Sequence, residues 1–458
     1  MNIQDDYNVL IISFDGVPMS GIVVESIKLA GFLKNSKKRI FMDLGYDIKI
    51  DKGNFNKEYK DECSLFGELL ELVRVANIFD IPDYNINFLT NVFDAMIRNN
   101  KVVEESELRN LKERVDEVSD TLSDSILAFW LKNRIGYLIV ENGTIPENIV
   151  YTKALYKAID KYGQQLDLDK FVLWRDHDLM WNSETSAGKY GSPPYEFAIK
   201  PVDSPYIKYF TLNQTSKVHL LEWCGYDLDI NVLPNSYDFE RLASRKNIRH
   251  RFGIRKNDVV ISRITRIIPQ KRLDRDIILI KELNRLFSQD DIKIYLLVAG
   301  NTNEDVCHYH QLREMVKNYD VEDYVIFVGS LCHDFYHNTS EFTVEDLIHS
   351  ADLISFLTSY DYDSYGNPIG EAICQSKCYI TTSYEYYDEV YGNKGFLSPV
   401  MNISKENDGV PDKAFINEVY ALLKDPVNMK RYAEHNYKLG RELLSHRILD
   451  DIFFSDKR

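Results

Sequence analysis

Short continuous apolar runs recur along the chain, each followed by turn residues and an amphipathic stretch. This is the pattern of strands buried on both faces of a parallel sheet, alternating with covering helices. The first run, YNVLIISF (7–14), passes through the loop DGVPMSG (15–21) into IVVESIKLAGFLKNSKKR (22–39). That stretch is predicted as a helix whose last turn carries Lys37, Lys38 and Arg39, where cations complement the helix dipole. Further strands are predicted at IGYLIVEN (135–142), FVLWRD (171–176), VHLLEW (218–223) and NVLPN (231–235). A polar, charge-rich stretch (236–258) interrupts the pattern. A second series then opens with DVVISRI (258–264) and continues through IKIYLLVAG (292–300), DYVIFVGS (323–330), ADLISFLTS (351–359) and CYITTS (378–383). Between 102 and 132, Leu108, Leu111, Val115, Val118 and Leu122 fall at three- and four-residue spacing. The spacing describes a long helix with a narrow apolar seam, read here as part of a helical hairpin packed on its own domain, with a homodimer seam as the open alternative. The stretch 413–445 predicts one long last helix, reaching back toward the first half.

The pattern is therefore α/β, with two doubly wound, Rossmann-like domains. The first spans 1–240 with a helical insertion at about 85–133, the second 241–440, and a helical tail 441–458. Ligands of such folds bind outside the carboxyl ends of the strands, so the residues just after each strand are the ones to search.

Composition narrows the partners. The 458 residues carry a formal net charge of −16, which argues against a nucleic-acid partner, since binding phosphates along a backbone needs a surplus of Lys and Arg. No apolar run is long enough to span a bilayer, and MNIQDDYNVLIISFDG lacks the basic flank of a signal peptide, so a cytoplasmic location is expected. The basic turn at 37–39 leaves peripheral membrane contact open. Six cysteines without CxxC pairs fit reduced thiols, and Cys374 and Cys378, one helical turn apart, read as core positions rather than a metal site.

Candidate chemistry sits in three strand-end segments. In TRIIPQKRLD (265–274), Arg266 and Lys271 stand five apart across a Pro-containing turn, a fork and a mobile point charge suited to a diphosphate. In DYDSYGNPIGEA (361–372), Asp363 and Glu371 bracket an eight-residue step. Gly366, Asn367 and Pro368 stand where a loop turns into a helix and backbone N–H groups can meet phosphate or sugar oxygens. In WRDHDLMW (174–181), Arg175, His177 and Asp178 follow an apolar strand.

The pairing of the first two segments resembles the family-4 retaining glycosyltransferases with the GT-B fold, two Rossmann-like domains facing across a cleft. GIVVESIKLA (21–30), DLGYDIKIDKGNF (43–55) and WRDHDLMW resemble a subgroup that includes mannosylglucosylglycerate synthase and sucrose-type synthases. The resemblance implies a retaining hexosyltransferase that uses a nucleotide diphosphate sugar (GDP- or UDP-linked) and a sugar or small polar acceptor. Arg266 and Lys271 would hold the diphosphate, Glu371 the ribose, and Asp363 with the backbone at Gly366 and Asn367 the transferred sugar. His177 would meet that sugar from the opposite wall, and Gly21 would let donor and acceptor approach the backbone. Asn142, Arg175, Asp178 and Lys189 complete the expected acceptor side, with Lys189, in the lid candidate GKYGSPPYEF (188–197), suited to an anionic acceptor. Trp174, Trp181, Tyr190 and Tyr195 are stacking candidates.

Two residues depart from the family pattern: Asp363 stands for the usual Glu, and Arg272 for a common Gly. No metal and no cofactor are expected, because the cations and a helix N-terminus can neutralise the leaving group. The DxD triplets at 167–169, 227–229 and 361–363 arise readily in so acidic a chain. The alternatives are a nucleotide-sugar 2-epimerase, which would need extra catalytic acids and a histidine in the second half, where His333 and His337 are expected to lie outside the site, and a decayed carbohydrate- or nucleotide-binding subunit.

Overall fold

The computed structural model describes residues 7–34, 39–60, 62–76, 78–98, 104–182, 188–240, 245–336 and 341–453. Lys37, Lys38 and His337 lie outside the described residues. The chain divides into two compact units, Met1–Pro234 with Leu449–Arg458, and Asn235–Ile448. The division falls at 234/235, ahead of the charged stretch, where the sequence reading set it after 240.

The first unit is a seven-stranded sheet built from β1 (Asn8–Ser13), β2 (Ile40–Asp43), β3 (Glu71–Leu72), β4 (Ile135–Glu141), β5 (Val172–Asp176), β6 (Ile207–Thr211) and β7 (Ile230–Val232). Its order is β3-β2-β1-β4-β5-β6-β7, and every pairing is parallel. Val9, Leu10, Ile11 and Ile12 are fully buried, which accounts for the unbroken apolar run. The second unit repeats the plan with β8 (Val259–Ile264), β9 (Ile294–Ala299), β10 (Val325–Gly329), β11 (Leu353–Phe356), β12 (Cys378–Thr382) and β13 (Val400–Met401) in the order β10-β9-β8-β11-β12-β13, again all parallel. In each sheet the strand order reverses once, between β1 and β4 and between β8 and β11, and such reversals open a crevice at the strands' carboxyl ends.

Four local expectations are corrected. VHLLEW is not a strand but part of the helix Gln214–Cys224: Asn213 caps its first turn, Gly225 takes the left-handed position at its end, and Ser216, Leu220 and Cys224 bury one face. The first helix ends earlier than 39, spanning Gly21–Lys34. The expected hairpin is one helix, Glu105–Asn133, whose seam of Leu111, Val115, Val118, Leu122, Ile126 and Trp130 joins the first unit's core. It lies along the helix Ile149–Leu166, and a charge ladder, Lys153–Asp116, Lys157–Asp120 and Lys161–Asp124, runs along the contact at four-residue steps. The last helix is two, Lys413–Leu423 and Pro426–Leu443, because Pro426 has no N–H to continue the first and instead opens the second behind the Asp425 cap. The chain's end does return to the first unit, where Phe453 packs on Phe32 and Tyr137.

The helix Asn367–Cys374 lies against Tyr237, and a Cβ placed on Gly370 would fall within the Tyr237 ring. Helix propensity alone would favour alanine there by about 1 kcal/mol. Gly370→Ala is nevertheless expected to lower unfolding free energy by about 1–3 kcal/mol through overpacking; an unchanged or raised urea midpoint would count against this packing.

Candidate active site

In the second unit the two expected segments meet at the switch point. After β8 the chain passes Arg266 and makes a single turn, Pro269–Lys271, while β11 next door leads into the 357–363 loop. Ser359 donates its N–H to the Gln270 carbonyl at 3.2 Å, so the two loops are joined by backbone. Lys271 Nζ then stands 2.5 Å from Asp363 Oδ1 and 4.8 Å over the Tyr362 ring. Arg266 donates to Tyr362 Oη at 2.9 Å and pairs with Glu304 at 2.5 Å. Both cations therefore bear on the Tyr362–Asp363 turn.

Residues beneath hold this arrangement. Asp363 Oδ2 accepts from Thr358 Oγ1, so both oxygens of the shorter acid are engaged, one of them by Lys271. Arg263, fully buried on β8, donates to the Lys271 carbonyl at 2.7 Å. Arg275 donates to the Thr358 carbonyl and, at 2.6 Å, to Asp408. Arg272 has φ +51°, the left-handed conformation that explains why glycine is common at this position. Left-handed backbone costs an L-residue roughly 1–2 kcal/mol, and here charge-assisted hydrogen bonds to Asp274 (3.0 Å) and Asp408 (2.7 Å) offset it.

Gly366 precedes the Asn367–Cys374 helix with φ +86°, and a Cβ there would lie 2.7 Å from Tyr384 Oη, so a side chain fits neither the backbone nor the space. Asn367 Oδ1 accepts from Asn235 Nδ2 at 2.8 Å, and Pro368 occupies the first turn, where no N–H is required. The positive end of the helix thus stands beside the two cations. Glu371 lies one turn on. His333, expected outside the site, is 4.0 Å from Glu371 Oε1; its other ring nitrogen is 2.7 Å from Glu345, and its ring stacks on Phe335 at 5.0 Å. Burial pushes the Glu345 carboxyl up, but the His333 pair outweighs this and holds it at about 2. Residues 331–336 follow β10 without periodicity, so nothing in their order foretold this approach.

In the first unit the ends of β4 and β5 supply the cluster. Glu141 and Arg175 are partners in the strand register, and Arg175 grips the carboxylate with Nε at 2.9 Å and Nη2 at 2.7 Å. His177 Nε2 lies 2.8 Å from the same carboxylate. Asn142, at φ +62°, accepts the backbone N–H of His177 at 2.6 Å and of Asp178 at 3.2 Å. Arg175, expected to face an acceptor, is 3% exposed and turned onto Glu141, a residue the sequence reading did not single out. Lys189 is likewise engaged: Glu147 stands 2.9 Å and Asp51 2.8 Å away, Lys49 approaches Glu147 at 2.7 Å, and Tyr190 Oη donates to Glu147. The charge meant for an anionic acceptor is answered by the chain's own acids.

Trp174 is fully buried and stacked on Tyr156 at 4.7 Å, and Trp181 packs on Tyr195 and Trp223, so these rings serve the unit's own packing. Gly21 opens its helix, and a Cβ there would meet no heavy atom within 4 Å. Cys374 ends one helix and Cys378 begins β12, so they share no helical face. Among the described residues no His, Cys, Asp and Glu side chains group to hold a metal ion, and no helix is long and apolar enough to cross a membrane.

Two doubly wound parallel sheets, each with one reversal of strand order, are the architecture of the GT-B fold. Residues 244–438 match the family "Glycosyl transferases group 1", so the second unit carries a glycosyltransferase domain of that group. It is 24% identical to mannosylglucosylglycerate synthase of Thermotoga maritima, over 97% of this chain and 98% of that protein. Sucrose-phosphate synthase of Thermosynechococcus elongatus superposes with a TM-score of 0.60 at 12% identity, covering 97% of this chain and 96% of that one. The Anabaena HepE structure in complex with UDP gives 0.60 at 11% identity, covering 98% and 99%.

Asp176, between Arg175 and His177, generates a test of the first-unit cluster. Burial raises its carboxyl to about 7, against hydrogen bonds from the Thr144 N–H (3.1 Å) and Oγ1 (2.6 Å). The folded chain therefore holds this proton more tightly than the unfolded chain. The stability it contributes is complete below about pH 4 and is lost as pH rises through 7, by at most about 1.4 kcal/mol per pH unit. Urea unfolding of wild type and Asp176→Asn from about pH 5 to 8 should show wild type losing ground to the variant as pH rises. A pH-independent difference would mean the carboxyl is ionised throughout.

Proposed function

We propose that the chain moves a hexose from a nucleotide diphosphate sugar, with GDP or UDP as the nucleotide, to a hydroxyl of a sugar or small polar acceptor. Transfer retains the anomeric configuration and needs no metal ion. The observation that carries this reading is the convergence of Arg266 and Lys271 on the Tyr362–Asp363 turn, just ahead of the helix that Gly366 opens. Two cations and a helix N-terminus at one strand-end locus suit a diphosphate that gains negative charge as it departs. The bond between the anomeric carbon and the phosphate oxygen breaks, the acceptor oxygen bonds to the same face, and the acceptor's proton passes to the leaving phosphate oxygen. That route asks for no carboxylate base, and the paired acids of a hydrolase are not required.

Glu371 takes the ribose hydroxyls, the backbone at Gly366 and Asn367 meets the transferred sugar, and His177 is assigned to a sugar hydroxyl at the strand ends of the first unit. Asp363, engaged by Lys271 and Thr358, serves first to place the lysine. Gly21, Asn142 and Asp178 belong to the acceptor side. The name of the Thermotoga relative supports a hexose donor and a small glycosidic acceptor, and the UDP in the Anabaena complex supports a nucleoside diphosphate leaving group.

The reading is checked by nucleoside diphosphate release from UDP-, GDP- and ADP-sugars after EDTA treatment, with product configuration assigned by NMR. One donor should be turned over, and Lys271→Ala should lower kcat about 10²–10³-fold, the usual cost of one charge-stabilising donor. Silence toward every donor with mixed sugar and glycerate acceptors would leave a binding subunit. A donor whose sugar is epimerised without any acceptor would mean 2-epimerisation.

A further inference from the structure

We infer that Glu141 is a positioning residue that acts through His177, fixing the imidazole proton on Nε2 and leaving Nδ1 as the ring's hydrogen-bond acceptor for a sugar hydroxyl. The inference rests on the assignment of His177 to a sugar hydroxyl in the proposed function and deepens it.

Glu141 is the last residue of β4 and is fully buried. The parallel register sets Arg175 of β5 opposite it, and the guanidinium closes on both carboxylate oxygens. Burial alone would push the Glu141 carboxyl up; Arg175 first and His177 next outweigh it and hold it at about 2. The group is therefore ionised, and an ionised carboxylate only accepts hydrogen bonds. In the 2.8 Å contact between His177 Nε2 and Glu141 Oε2 the hydrogen must belong to the imidazole.

The rest of the histidine is held with equal economy of motion. Its backbone N–H goes to Asn142 Oδ1, and Asn142 takes its own place by donating its N–H to the Arg175 carbonyl at 2.8 Å. Asp176, the other carboxyl nearby, has its oxygens on Thr144 and does not compete for the ring. Among the described residues Nδ1 makes no hydrogen bond, so it is the ring atom left for a ligand. A neutral imidazole with Nε2–H presents a lone pair at Nδ1, and a sugar hydroxyl meeting it must donate. A buried Arg–Glu pair adds little stability over apolar residues of the same volume. What this pair supplies is an ionised acceptor at a fixed place beside the histidine.

The test uses the full-length chain, labelled with ¹⁵N in histidine, with the His177 signals identified by their loss in His177→Ala. Wild type is expected to show the Nε2–H tautomer in the neutral form. Glu141→Gln should mix the tautomers and lower kcat about 10–100-fold, the range known for metal-ligating histidines that lose their orienting partner. Nucleoside diphosphate affinity should stay within about twofold. In the His177→Ala background the same substitution should cost less than about twofold, because a residue acting through another has nothing left to act on. Glu141→Asp, which keeps the charge, should recover part of the rate and stands in if the glutamine variant folds poorly. An Nδ1–H tautomer in wild type, or an equal loss from Glu141→Gln in both backgrounds, would overturn the inference. A wild type inert toward every nucleotide sugar would sink the reaction proposed above but not this reading, since the tautomer is observed without turnover.

Discussion

The ion pair between Lys271 and Asp363 joins residues 92 positions apart, and it forms because β8 and β11 are neighbours although two other strands precede β11 in the chain. Where a parallel sheet reverses its strand order, the connections from the two central strands leave toward opposite faces, and nothing covers the crevice between them. Backbone groups at those strand ends cannot all be paired by the sheet, so side chains and the exposed end of a helix gather there. Lys271, Asp363, Thr358 and the start of the Asn367–Cys374 helix occupy this place in the second sheet. In the first, Glu141 ends β4 at the equivalent reversal, beside β1.

Charge is treated alike at both reversals. Arg266 stands with Glu304, Lys271 with Asp363, Arg175 and His177 with Glu141, and Lys49 and Lys189 with Glu147. In a chain with a net charge of −16, every one of these basic groups has an acid partner. An anionic ligand at the second reversal would exchange partners with the acids rather than neutralise bare cations. Its affinity then depends on the difference between two pairings, and both include the cost of taking charge out of water. A diphosphate offers more oxygens than one carboxylate and engages Arg and Lys together, which favours the exchange.

Much of this was legible in the order of residues. Buried parallel strands have a signature that survives without tertiary information, and β1, β4, β5 and the principal strands of the second sheet lie within the runs that the apolar pattern marked. VHLLEW failed because its apolar residues fit both periods, and the decision rested on Asn213 and Gly225 outside the run. The short strand Ile207–Thr211 was passed over, and 102–132 has no breaker where a hairpin would need one. At the site, Arg266, Lys271, Asp363 and Gly366 were readable because motif spacing and strand ends coincide. Glu141 was not, since a glutamate closing an apolar run looks like the start of a loop until the register sets Arg175 opposite it. His333 and Glu304 reach the site from the other strand ends of the same sheet, and no local pattern announces that.

The two departures from the family pattern, Arg272 and Asp363, are linked through a third residue. Asp408 accepts from Arg272 at 2.7 Å and from Arg275 at 2.6 Å, and it takes the Tyr360 N–H at 3.2 Å. Arg272 follows Lys271 directly, and Tyr360 belongs to the loop that carries Asp363. One carboxylate therefore fastens the lysine turn to the acid's loop, and Arg275 adds a second tie through the Thr358 carbonyl. A glycine at 272 would satisfy the left-handed backbone without strain but could not make this link. An acid one methylene shorter than usual needs the lysine closer, and the arginine side chain, at the cost of a strained φ, supplies a contact that holds the two loops together. The substitutions thus read as one adjustment: a rigid floor under a shortened acid that keeps Lys271 Nζ within reach of Asp363.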